Sequence, residues 1–119
     1  MKITLLFSLL IFNLFAFETQ YDLGRNIYYA KGCANCHGTE AEGSSYYPRL
    51  VNKKESFITK KLNDFKQGKA SSQKAEIMFT FARSLSSKEI SRVSKFLSNY
   101  KKDTTNKYKI SDDILGSVD

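Results

Sequence analysis

Two thiols and one imidazole are packed into the run Cys33-Ala34-Asn35-Cys36-His37. Cysteines three positions apart face the same way from one helical turn. Each thiol can add to a vinyl group of a haem, forming two thioethers. The adjacent imidazole then lies under the macrocycle, where it can bind iron. This spacing is that of c-type haem attachment. Other uses of the same residues fit less well. A closed zinc site takes about four protein ligands; two Cys and one His leave it short unless a carboxylate joins. A thioredoxin-like dithiol follows a strand in a βαβ setting, and no such strand is legible. Structural cysteines beside an unrelated histidine are the remaining reading.

A haem iron has a second axial position. His37 is the only histidine, and Met78 is the only methionine beyond the first 17 residues. A Met78 thioether opposite His37 makes a His/Met site and raises the reduction potential. The alternatives are a gap-filling core methionine and an iron bound by lysine or left open. The free Nδ1–H of a metal-bound His usually donates to a carbonyl or carboxylate. Pro48, the only proline, follows His37 by eleven positions and offers such a carbonyl; an ordinary rigid turn is its other reading. Tyr46 and Tyr47 are candidates to line the haem edge or bond a propionate, or equally to pack the loop.

Three helices must position these groups. The first is predicted over Gln20 to Lys31, with Thr19 as N-cap, Gly32 as stop, and Leu23, Ile27 and Ala30 on one face. The second is predicted over Lys53 to Gln67. Asn52 and Glu55 form a capping-box-like start, Gly68 ends it, and Ile58, Leu62 and Phe65 share a face beside Phe57. The third is predicted over Ser87 to Lys101, opened by the Ser86/Glu89 capping box and striped by Ile90, Val93, Phe96, Leu97 and Tyr100. No strand is legible. Residues 38–51 and 69–85 read as long loops, which in a small domain points to a site. Met78 falls in the second of them.

The 119 residues suit one domain. Residues 1–17 read as a leader. Lys2 precedes an apolar run from Ile3 to Phe17 that is broken by Thr4, Ser8 and Asn13. A spanning helix needs about 20 apolar residues, so a signal peptide and a periplasmic destination are expected. Leu14 is not the small residue a cleavage site favours, which keeps an uncleaved anchor as the alternative. No second apolar run exists, which excludes a polytopic membrane protein. Export implies an oxidising compartment, yet a Cys33–Cys36 disulfide would close too short a loop to restrain much chain entropy. Beyond the leader, about a third of the residues are Ala, Val, Ile, Leu, Met, Phe, Cys or Gly, against about 45–50% in a typical domain. So lean a core needs filling or stapling.

The net charge is +7. The surplus is concentrated in residues 53–74, where seven lysines face only Glu55 and Asp64, and it continues through 75–102. This is either a solvated surface or a positive face that steers an acidic partner. Nucleic acid is not expected, because no basic run is interleaved with base-stacking aromatics. Residues 103–119 are polar and weakly acidic. They read as a largely disordered tail in which Ile110, Ile114 and Leu115 could dock.

From about residue 22 to 101 the sequence resembles the small single-haem class I c-type cytochromes of bacterial periplasm. Gly24 and Tyr28 resemble the glycine–aromatic pair at which the first helix crosses the last, with Leu97 and Tyr100 as matching contacts. Cys33 through Gly38 resembles the attachment site. Pro48-Arg49-Leu50, Phe57 through Leu62 and Phe65-Lys66-Gln67-Gly68 are similar to the stretch between that site and the methionine. Met78, followed by Leu85-Ser86 and a capped helix, matches the axial methionine and final helix. Two departures stand out: no proline flanks Met78, and 103–119 has no counterpart.

The resemblance implies an all-α class I cytochrome c fold over residues 18–102. Three main helices would surround one covalent haem c, with the N- and C-terminal helices crossing. It implies an electron carrier cycling Fe(III)/Fe(II), not an enzyme, and a monomer. Its partners would be acidic redox proteins, such as a respiratory reductase and a terminal oxidase or peroxidase, with membrane contact only if the leader stays. The alternatives are a subunit or anchored electron-input module of a larger respiratory oxidoreductase complex, and a haem sensor or peroxidase if Met78 is not a ligand.

Overall fold

The computed structural model describes residues 18–102. The expected leader (1–17) and tail (103–119) lie outside the described residues. The order is α1 (Gln20–Ala30), α2 (Ala34–His37), α3 (Glu55–Lys66), a 3-10 turn (Gln73–Ile77), α4 (Met78–Arg83) and α5 (Ser87–Ser98). Among the described residues there is no strand, and no helix is long and apolar enough to cross a membrane.

Local chemistry explains where α1 and α5 begin. Thr19 accepts from the Asp22 backbone N–H while Asp22 reaches back to Thr19, a full capping box. Ser86 and Glu89 form the second one, with Glu89 N–H donating to Ser86 Oγ at 3.1 Å and Ser86 N–H to Glu89 Oε2 at 2.8 Å. The Ser86 N–H bond is the foremost cause holding the Glu89 carboxyl below its ordinary range. A depressed carboxyl contributes stability above its unfolded pKa and loses it as pH falls through the folded one. Ser86→Ala should cost about 1 kcal/mol, read as a fall of roughly 4–8 °C in the midpoint of thermal unfolding. Ser87→Ala, one position into the helix, should leave it nearly unchanged.

The buried faces meet where α1 crosses α5. Gly24 lies at the crossing, and a Cβ there would overlap the Arg92 carbonyl oxygen and stand 2.8 Å from Phe96 Cβ. Only glycine lets the two backbones come this close. Around it Tyr28, fully buried, packs against Phe96 with ring centroids 5.6 Å apart. Tyr21 and Tyr100 flank Phe96 at 5.1 and 5.8 Å. The residues nearest Gly24 are therefore Arg92 and Phe96, while Leu97 and Tyr100, the expected contacts of the Gly24–Tyr28 pair, lie in the same packed cluster as Tyr28. Leu97 turns into the core with Ile58 and Val93. The inward residues of α1 are Gly24 and Tyr28, whereas Ala30 of the expected stripe is exposed.

Four expectations about boundaries are corrected. Helix α3 starts at Glu55 after Lys54, without a side-chain cap. Asn52 is left-handed (φ 57°), and its N–H donates to Leu97 O at 2.9 Å. It serves a tertiary turn instead of a cap. Helix α5 stops at Ser98, where Asn99 Nδ2 donates to Lys95 O at 3.0 Å. Beyond it Lys101 N–H donates to Tyr21 Oη. Residues 69–85 are not simply a loop, since they carry the 3-10 turn and α4. Met78 accordingly opens a helix rather than sitting in a loop. Ion pairs tie α5 to its neighbours, Lys31–Glu89 at 3.6 Å and Glu55–Lys95 at 3.7 Å. Lys66 Nζ donates to Leu85 O and joins α3 to the segment before α5.

Candidate functional site

Cys33, Cys36 and His37 sit on the short turn that follows α1. Cys33 N–H donates to Tyr28 O at 3.1 Å, and His37 N–H donates to Cys33 O at 2.9 Å. Gly38 then turns the chain at φ 89°. The phenols of Tyr28 and Tyr29 donate to the carbonyls of Gly38 and Thr39, each at 2.6 Å, clamping this turn onto α1. The turn's position is thus set by the first helix on one side and by buried aromatic packing on the other.

His37 is buried. Its Nδ1 lies 2.9 Å from the Pro48 carbonyl. A carbonyl only accepts, so Nδ1 carries the proton toward Pro48 and Nε2 is the ring nitrogen left to bind a metal. The loop that brings Pro48 round is held by Gly43 N–H to His37 O at 2.8 Å, Ser44 N–H to Tyr47 O at 2.8 Å and Leu50 N–H to Ala41 O at 2.9 Å. Tyr47 stands edge-on to the His37 ring at 6.3 Å between centroids. Its phenol is pushed above the usual value, foremost by a hydrogen bond with the Cys36 thiol. Burial pushes the Cys33 thiol upward as well.

Cys33, Cys36, His37 and Met78 line one cleft of about 640 Å³, inside the range of about 300–1,000 Å³ usual for cofactor sites. Pro48, Tyr46 and Tyr47 also line it. All seven candidate residues are therefore brought together. The rest of the wall is largely apolar, with Ile58, Leu62, Val93 and Leu97 at the core side. The donor set and the apolar wall fit a covalently attached haem: two thiols, an imidazole with one nitrogen tied back, and a soft thioether, as in His/Met haem proteins.

Phe57, Ile77 and Phe81 also line the cleft, 49%, 57% and 39% exposed. Ile77 and Phe81, with Ala82 and Leu85, were not among the predicted site residues. A signal for most of them was present, because Met78, Phe81, Ala82 and Leu85 fall at i, i+3, i+4 and i+7, one helical face. Lys31, Lys53, Lys61 and Lys74 line the same cleft.

A family model for cytochrome c matches residues 21–101. The chain is 33% identical over 70 residues to a protein named cytochrome subunit of sulfide dehydrogenase from Chlorobaculum tepidum, a stretch covering 59% of this chain and 61% of that one. It is 32% identical over 83 residues to cytochrome c4 of Azotobacter vinelandii, covering 67% of this chain and 40% of that one. The chain thus spans about three-fifths and two-fifths of the lengths of these curated relatives. The family match runs from Tyr21 in α1 to Lys101 beyond α5 and takes in every helix that frames the cleft. This chain therefore belongs to the cytochrome c family, whose members carry electrons on covalently bound haem c.

Proposed function

We propose that this protein is an exported, periplasmic single-haem electron carrier with His/Met ligation. Cys33 and Cys36 would hold the haem as thioethers, and His37, through Nε2, and Met78 would hold its iron. The observation that carries this reading is the convergence of all four residues on one cleft with His37 Nδ1 tied to Pro48. When bound, the haem supplies a one-electron couple between ferric and ferrous iron. The residues of the chain do the rest. The Pro48 carbonyl fixes the imidazole's tautomer and orientation and raises its basicity as a ligand. With His37 and Met78 both holding the iron, the site would disfavour substrate binding there and suit outer-sphere transfer. The apolar wall lowers the local dielectric around the couple.

Met78→Ala tests the ligand assignment. Protein matured with haem in the periplasm should show a sharp low-spin reduced spectrum, and its haem should resist acid–acetone extraction. It should also show a ferric methionine–iron absorption band. The variant should lose that band, become high-spin or mixed-spin, and drop in reduction potential, while keeping its haem. Unchanged spectra in the variant would remove Met78 from the iron.

Steering follows from the charge. Lys53, Lys61 and Lys74 line the cleft, and none of them is paired with a carboxylate among the described residues. Such a rim suits a small, salt-sensitive encounter with an acidic redox protein. Oxidation of the reduced protein by anionic hexacyanoferrate(III) should slow about tenfold from low salt to about 0.5 M, as screening shortens the reach of the charges. A rate indifferent to salt sinks the steering idea.

One relative's printed name, a subunit of sulfide dehydrogenase, favours a second reading, in which the chain is the electron-accepting subunit of a larger oxidoreductase. Stoichiometric co-purification with a catalytic subunit from the native source would establish it, and a free monomer would favour the carrier.

A further inference from the structure

Met78 has no flanking proline to stiffen its segment. The segment leading into it is the 3-10 turn Gln73–Ile77, which has no side-chain cap and no buried residue. Its own packing is light, with Ala75 its half-buried residue. One contact ties it to the other side of the site. Lys74 Nζ, four residues before Met78, stands 3.5 Å from the centroid of the Tyr46 ring. Tyr46 stacks edge-on against Tyr47 at 4.9 Å, and Tyr47 in turn against His37 at 6.3 Å. The Tyr46 end is firmly built. The N–H groups of Tyr46 and Tyr47 both donate to Ser44 Oγ at 3.1 Å, and Ser44 N–H donates to Tyr47 O. Both Lys74 and Tyr46 line the cleft. Tyr46 is 58% exposed, so core burial does not explain its position.

We infer that Lys74 and Tyr46 form a clasp across the mouth of the cleft that holds the Met78 segment closed and limits access of outside ligands to the iron. The inference rests on the His/Met reading above. Lys74 and Tyr46 are positioning residues; neither is placed on the iron. A cation over an aromatic face is a directional contact that survives partial exposure. It needs the charge on one side and the ring on the other, and it does not need the tyrosine hydroxyl. Arginine in place of Lys74 and phenylalanine in place of Tyr46 therefore preserve it, while glutamine and leucine do not.

The test uses the full-length haem-loaded protein and neutral imidazole as probe, so that changing a charge does not itself alter the encounter. The rate of imidazole binding to the ferric protein reports how often the Met78 segment opens. Lys74→Gln and Tyr46→Leu should each speed binding about fivefold, and each should lower the temperature at which the ferric methionine–iron band disappears. The double variant should gain no more than either single one, because one shared contact can be lost only once. Lys74→Arg and Tyr46→Phe should behave like the parent. Single variants at the parental rate, or effects that multiply to about 25-fold in the double variant, overturn the clasp. Multiplication would mean that the residues act separately, as when Lys74 serves a haem carboxylate. A parent protein that lacks the methionine–iron band overturns the His/Met reading itself, and the clasp's role at Met78 falls with it.

Discussion

Haem-free chain, prepared as Cys33→Ser with Cys36→Ser and extracted with acid–acetone, is expected to show no cooperative thermal transition and about half the helical circular dichroism of the haem-loaded protein. The buried apolar residues are few, and the cleft of about 640 Å³ opens into the middle of them. Large-to-small core changes cost about 24 cal/mol per Å³ of cavity. At that rate the whole cleft would reach about 15 kcal/mol, an upper bound because its mouth is open to water. That matches the entire net stability of a domain, about 5–15 kcal/mol. Even a third of the penalty is decisive for a core this lean. The chain must then either collapse around the cleft or unfold, and Phe57, Ile77 and Phe81 lose the surface they would otherwise cover. A sharp melting curve with native-like helix content in the haem-free chain would show that the polypeptide core suffices alone.

Gly24→Ala should be the most damaging single-methyl addition among the helices. Alanine improves helix propensity over glycine by about 1 kcal/mol, so away from a contact the change would stabilise. Here the new Cβ overlaps the Arg92 carbonyl oxygen and stands 2.7 Å from its carbonyl carbon. The obstacle is backbone in the middle of α5, which cannot rotate aside as a side chain can. Helices α1 and α5 must separate, and the Tyr28–Phe96 and Tyr21–Phe96 contacts loosen with them. Overpacking costs typically about 1–3 kcal/mol and occasionally more. Against backbone we expect the upper end, about 2–3 kcal/mol net of the propensity gain. The haem-loaded variant should melt roughly 10–20 °C lower. Arg25→Ala, on an exposed neighbouring position of the same helix, is the control and should shift the midpoint little. An unshifted midpoint in Gly24→Ala would mean that the crossing is loose enough to yield.

What local sequence alone determined here is chemistry and punctuation. The attachment spacing Cys33–Cys36–His37 is a matter of one helical turn, so it is legible without any tertiary knowledge. The same holds for Thr19 and the Ser86/Glu89 box, whose capping partners lie three residues away. The apolar stripe of α5 was legible because its period reports one buried face. What sequence left undetermined depended on residues far apart in the chain. Asn52 looks like a cap beside Glu55, but its backbone is claimed by Leu97, and so it turns left-handed instead. Met78–Arg83 has neither cap nor length to be a helix by itself. It becomes one against α3, where Phe79 meets Phe65 at 6.3 Å. The close approach of Arg92 and Phe96 to Gly24 is a matter of crossing geometry. The approach of the Pro48 carbonyl to His37 and of Lys74 to Tyr46 depends on the irregular 38–51 loop and on the 3-10 turn that carries Lys74. Those contacts have no sequence period. They exist because the helices α1 and α5 lock first-order geometry in place and leave the loops only a few ways to satisfy their backbone hydrogen bonds.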